Sequence, residues 1–165
     1  MKLTKKFVLT IVVGLFILPF LGFANSGPNK LSTEQVQTHR SWLMKAMAGH
    51  YIAICGPSIA GECGEGHYPE DRQFHAKSIA GLAGIMEKTF PEGSGEGSYA
   101  LPIVWEEPAK FRNELKKHQL AADNLVKTAA EKDSKAYRDA IQGLYRTCRS
   151  CHSVFRDEKI YENYK

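Results

Sequence analysis

Apolar residues recur along this chain at helical spacing, and nowhere alternate as a strand requires. Val36, Leu43, Met44, Met47, Tyr51 and Ile54 mark one face of a helix predicted over Thr33–Ile54. Ser32 and Gln35 open it as a capping box, with Leu31 and Val36 placed for a hydrophobic staple. A second stripe, Phe74, Ile79, Leu82, Met86 and Phe90, follows Pro69, whose neighbours Glu70 and Asp71 complement a helix dipole. The third helix starts at Pro108 and turns Phe111, Leu115, His118, Ala122, Leu125 and Ala129 inward. The fourth, capped by Asp133 or Ser134, turns in Tyr137, Ile141, Leu144, Cys148, Cys151 and Phe155. Residues 55–68, with four glycines and Pro57, form one loop; the glycine-rich stretch Pro91–Pro102 forms another. The pattern predicts an all-α fold, an antiparallel four-helix bundle. Helices of roughly 20 residues run about 30 Å, long enough to enclose a flat cofactor.

The N-terminus departs from this pattern. Lys2, Lys5 and Lys6 precede an apolar run from Phe7 to Phe23, closed by the small-x-small exit Gly22-Phe23-Ala24. That is the layout of a secretory signal peptide. An uncleaved membrane anchor is the rival reading, since the run is near the roughly 18-residue spanning minimum. Pro19 and Gly22 favour cleavage after Ala24, leaving residues 25–165 as one exported domain in the periplasm with no stable membrane insertion.

Removing that segment removes three lysines and lowers the net charge from +4 to about +1. Such a chain lacks the concentrated basic surface that nucleic-acid binding needs. Four cysteines in an exported protein suggest two disulfides. Their spacing sets Cys148 and Cys151 apart, which leaves Cys55 and Cys63 as the expected disulfide, pinning the first loop.

Cys148-Arg149-Ser150-Cys151-His152 is the attachment signature of a c-type haem. Each thiol adds to one vinyl group, so the porphyrin edge is held at two points. The adjacent His152 turns its imidazole under the iron. A dithiol redox centre normally sits where a strand meets a helix, not deep in a helix. A zinc site would need two further ligands at close spacing, and Cys55 and Cys63 fit that poorly.

The motif lies near the C-terminus and runs on into Ser153-Val154-Phe155-Arg156. In this it resembles the class II c-type cytochromes, the cytochrome c-prime family. Arg40, Met44, Lys45 and Met47 resemble the family's first helix. Phe90-Pro91, Gly93-Ser94, Ile103-Val104-Trp105, Pro108 and Phe111 resemble its connection between helices two and three. The resemblance covers residues 31–157. It implies one covalent haem c, with Phe155 packed on it and Arg40 paired to a propionate.

The family also divides on its distal residue. One kind has an apolar side chain and a five-coordinate, high-spin iron that binds nitric oxide or carbon monoxide. The other has a methionine ligand and a low-spin iron that transfers electrons. The position four residues after the first-helix arginine is Met44, so the resemblance implies the low-spin branch, with iron held by His152 and Met44. Met47, one turn along, is the fallback ligand. A core-filling role is the usual one for either methionine.

The function expected is therefore a periplasmic one-electron carrier for redox partner proteins, with gas binding the alternative. A non-haem interaction module, using its cysteines structurally, is the outlying reading. No general acid–base pair accompanies the motif, so no enzyme is expected. Many relatives are homodimers through helices one and two, which makes a homodimer possible here. His39, His50, His67, His75 and His118 show no paired spacing and read as surface or packing residues, with His118 on an inner face.

Overall fold

The computed structural model describes residues 31–55, 69–131 and 134–159, all within one unit, Leu31–Lys165. Helix α1 spans Thr33–Cys55 and α2 spans Arg72–Ile85. A 3-10 turn over Pro69–Asp71 leads into α2, and another over Met86–Thr89 continues it. α3 is a single turn, Ile103–Glu106, which the sequence pattern did not separate from the loop before it. α4 spans Pro108–Ala130 and α5 spans Ser134–Phe155. The four longer helices form the expected four-helix bundle. Among the described residues there is no strand, only an isolated antiparallel bridge between Ala100 and Arg156. No described helix is long and apolar enough to cross a membrane.

Local chemistry sets the helix starts. The Ser32 amide donates to Gln35 Oε1 at 2.9 Å, and the Gln35 amide donates to Ser32 Oγ at 3.2 Å. This is the reciprocal capping box. Pro108 opens α4, where its missing N–H costs nothing. The signal segment, Cys63 with its pairing to Cys55, His67 and the Asp133 cap lie outside the described residues.

α4 packs along both α2 and α5, and α2 packs along α1. α1 and α5 make no comparable contact. Small buried residues, Ala76, Ala83, Ala122 and Ala140, let backbones approach, while Ile79, Leu125, Ile141 and Leu144 fill the core. A second cluster, Val104, Phe111 and Phe155, lies under the long loop. Phe74, expected on the inner stripe of α2, is instead 63% exposed. It sits five residues before the buried Ile79, about 140° around a helix of 3.6 residues per turn. The buried stripe runs through Ala76, Ile79 and Ala83.

Candidate cofactor site

The missing contact between α1 and α5 is a cavity of about 640 Å³. That is the size of a small-molecule or cofactor site. α5 supplies Tyr145, Cys148, Cys151, His152 and Phe155 to its lining. Positions 148, 151 and 152 are three and four residues apart, so the helix puts both thiols and the imidazole on one face. α1 contributes Arg40, Met44, Met47 and Tyr51 from successive turns of the opposite wall.

Both thiols of the motif are free. Burial, foremost, pushes Cys148 up to about 11. Burial, then the charges of Glu114 and Cys148, push Cys151 up to about 12. A dithiol exchange centre works through a lowered thiol pKa, so this environment argues against that chemistry. Burial, then the charges of Arg156 and His118, depress His152 to about 4. Its ring is neutral at physiological pH, the state in which imidazole ligates a metal. No cluster of three or more His, Cys, Asp or Glu able to hold a bare ion occurs among the described residues. Two thiols and a neutral imidazole facing an apolar slot fit a haem held by its edge and its iron.

The two methionines of α1 differ in what their sulfur meets. Met47 is buried, and His118 Nε2 approaches its Sδ at 3.1 Å. Burial lowers the His118 pKa, so the ring is neutral. The Thr147 hydroxyl gives its one proton to Leu144 O at 2.6 Å, so it accepts from His118 Nδ1–H at 2.8 Å, and the neutral ring meets the Met47 sulfur with its unprotonated Nε2. Met44 is half-buried, lines the cavity, and has no polar partner among the described residues. Of the pair, Met44 is thus the one with its sulfur uncommitted.

Arg40 is 7% exposed and holds the cavity wall. Its Nε donates to Thr89 O at 2.9 Å. Nη2 donates to Ser94 O at 3.1 Å and Ser94 Oγ at 2.6 Å. Nη1 donates to Ser98 Oγ at 3.3 Å. The guanidinium also stacks 4.3 Å from the Phe90 ring centroid. The resemblance assigns this residue to a propionate; the structure commits most of its donors to the loop over residues 89–98.

That loop is fixed at its other end to α5. Leu101 N donates to Phe155 O at 2.9 Å, and Asp157 N donates to Tyr99 O at 2.8 Å. Trp105 Nε1 bonds Phe90 O and Pro91 O, and a Cβ on Gly95 would lie 2.7 Å from the Trp105 ring. Gly95 is therefore required by a close approach. Phe155 is buried and meets Phe111 edge-on at 5.2 Å, which in turn meets Phe90 at 4.8 Å. Tyr51 stacks on Tyr145 at 5.8 Å across the slot.

The sequence motif located the α5 face and the Met44 wall. It missed the Met47–His118 contact, the Tyr51–Tyr145 stack and the residue 97–100 wall. The inner-face phases of His118, Met47 and Tyr51 were the signals available for these contacts.

Residues 35–156 match the family model described as Cytochrome C'. The chain is 32% identical over 90 residues to cytochrome c' of Rhodospirillum rubrum, a match spanning 53% of this chain and 61% of that one. It is 28% identical over 130 residues to cytochrome c' of Pararhodospirillum photometricum, 76% of this chain and 99% of that one. Among solved structures it resembles the nitric oxide complex of a mutant cytochrome c prime from Alcaligenes xylosoxidans. The TM-score is 0.67 at 21% identity, covering 77% of this chain and 98% of that one. A carbon monoxide-bound variant of the same protein matches with the same TM-score, 0.67. The family match runs from the helix that brings Met44 to the helix that carries the cysteines, and cytochrome c' proteins hold a covalently attached haem c: this chain belongs to that family.

Proposed function

We propose that this chain is an exported periplasmic monohaem protein that binds nitric oxide or carbon monoxide. Haem c is joined through Cys148 and Cys151, and its iron is bound by His152. The observation that carries the proposal is the apolar slot itself, which reaches from the α5 motif to the α1 face at Met44. Haem, when bound, would supply an iron able to take a small gaseous ligand. The chain's own residues shape the space for that ligand. Met44 and Met47 present an apolar distal wall, Phe90, Phe111 and Phe155 exclude water, and Arg40 fixes the loop at the rim. Nitric oxide and carbon monoxide complexes of cytochrome c prime relatives with this fold support gas binding over the low-spin carrier expected from the sequence.

A second reading is kept for one observation. The uncommitted sulfur of Met44 faces the slot, and as a thioether ligand it would favour ferrous iron and electron exchange with redox partner proteins. Visible spectra with carbon monoxide separate the two. Broad high-spin bands and prompt carbon monoxide binding support the gas reading. A low-spin spectrum with a weak sulfur-to-iron band, indifferent to the gas, replaces it with the Met44-ligated carrier.

The basic and apolar leader, ending at Ala24, supports export. An oxidising periplasm supports the Cys55–Cys63 disulfide. Trp42 and Ile52 on α1, with Phe74 and Ile85 on α2, are exposed large apolar residues and support a homodimer through these helices. Sedimentation equilibrium of the holoprotein tests it.

A further inference from the structure

Away from the slot, α1 and α2 bring two imidazoles together. His50 Nδ1 and His75 Nδ1 lie 2.8 Å apart, between residues separated by 25 positions in sequence. Their ring centroids are 5.1 Å apart at an interplanar angle of 55°. Phe74 meets His50 edge-on at 5.9 Å and His75 at 5.4 Å, so one aromatic ring steadies both. Each histidine is half-buried and retains access to water.

Two neutral imidazoles meeting through Nδ1 share one proton: one ring donates, the other accepts. Imidazole nitrogen is also the commonest side-chain donor to transition metals. The separation puts both donors within reach of one ion. Two nitrogens about 2.0 Å from a metal lie about 2.8 Å apart when they subtend a right angle, as neighbours in a tetragonal site do. In a tetrahedral site they lie about 3.3 Å apart. The observed 2.8 Å is the length of the shared N–H···N hydrogen bond, and rotation of the rings reaches either spacing. Copper(II) is favoured because it heads the affinity order of divalent ions at nitrogen sites.

We propose that His50 and His75 form a surface site for a tetragonal divalent cation, copper(II) above all, that bridges α1 and α2. On binding, the ring that donated its Nδ1 proton shifts that proton to Nε2. Both rings then swing until their lone pairs meet at the metal, and no net proton is released. No third His, Cys, Asp or Glu converges on the pair among the described residues. The site is independent of the haem and of the gas reading.

The test is calorimetric titration of copper(II) chloride into the haem-loaded protein, with electron paramagnetic resonance of the product. The proposal expects one equivalent bound at micromolar level, with superhyperfine splitting from two nitrogens. His50→Ala and His75→Ala should each weaken binding at least about tenfold, while His39→Ala leaves it unchanged. His75→Gln, closer in size, repeats the measurement should the alanine variant lose its circular dichroism or Soret band. Retention of full copper affinity in a folded His50 or His75 variant overturns the proposal, as does a one-nitrogen signature.

Discussion

The imidazole of His118 sets its Nε2 against the sulfur of Met47 at 3.1 Å, joining α4 to α1 through the core. One sulfur of the distal wall is thereby occupied, and Met44 alone faces the slot uncommitted. Met47→Leu conserves volume and sets carbon in place of the sulfur against His118 Nε2. It should cost less than about 1.5 kcal/mol of stability by urea titration, as volume-conserving core exchanges do, and leave the visible spectrum unchanged. A change of spin state in that variant would show that Met47, not Met44, governs the iron.

Met44→Ala opens the distal wall without touching the α5 motif. Carbon monoxide association, followed by flash photolysis, should accelerate about tenfold, equivalent to about 1.4 kcal/mol of steric barrier. The spin state should stay as it was. Conversion from low spin to high spin would instead identify Met44 as a ligand.

Arg40→Ala removes a buried cation and four hydrogen bonds from the loop over residues 89–98. The expected loss is about 3 kcal/mol, since hydrogen bonds from a charged donor exceed neutral ones and the freed carbonyls stay buried. Limited proteolysis should move to this loop. Unchanged protection there would mean that the Ala100–Arg156 bridge suffices.

Gly95→Ala places a methyl 2.7 Å from the Trp105 ring. Either the indole leaves Phe90 O and Pro91 O or the loop shifts, at about 1–3 kcal/mol. A shift in Trp105 fluorescence together with a lower unfolding midpoint is the expected result. A wild-type midpoint would show that the ring moves aside freely.

Cys148→Ser with Cys151→Ser leaves His152 in place and removes both covalent anchors. Acidified organic solvent should then extract the haem, and mass spectrometry should find bare polypeptide. Each single variant should keep the haem by one thioether. Retention in the double variant would refute attachment through these sulfurs.

Helix number, capping and the motif face were legible in the sequence because they are local. Ser32 and Gln35 are three residues apart, and Cys148, Cys151 and His152 lie within one turn. What the sequence hid depends on how helices meet. Arg40's bonds to Thr89 O and Ser94 O were out of reach because they exist only once the loop folds back over α1. His50 and His75 read as unrelated surface residues because only the α1–α2 register brings them together. Phe74 misled for another reason. Its hydrophobicity suggested burial, but its phase on α2 points elsewhere.

α1 and α5 each rest on the other helices and scarcely on one another. A porphyrin held in the slot by Cys148 and Cys151 would therefore be a packing element in its own right, a wedge between the first and last segments of the bundle. A chain translated without its pigment keeps the α2–α4 pairing and loses support on one flank of each outer helix. Amide deuterium uptake should then begin at Thr38–Tyr51 and Tyr145–Phe155 and reach Ile79 and Leu125 last, so that cofactor delivery doubles as the final step of folding.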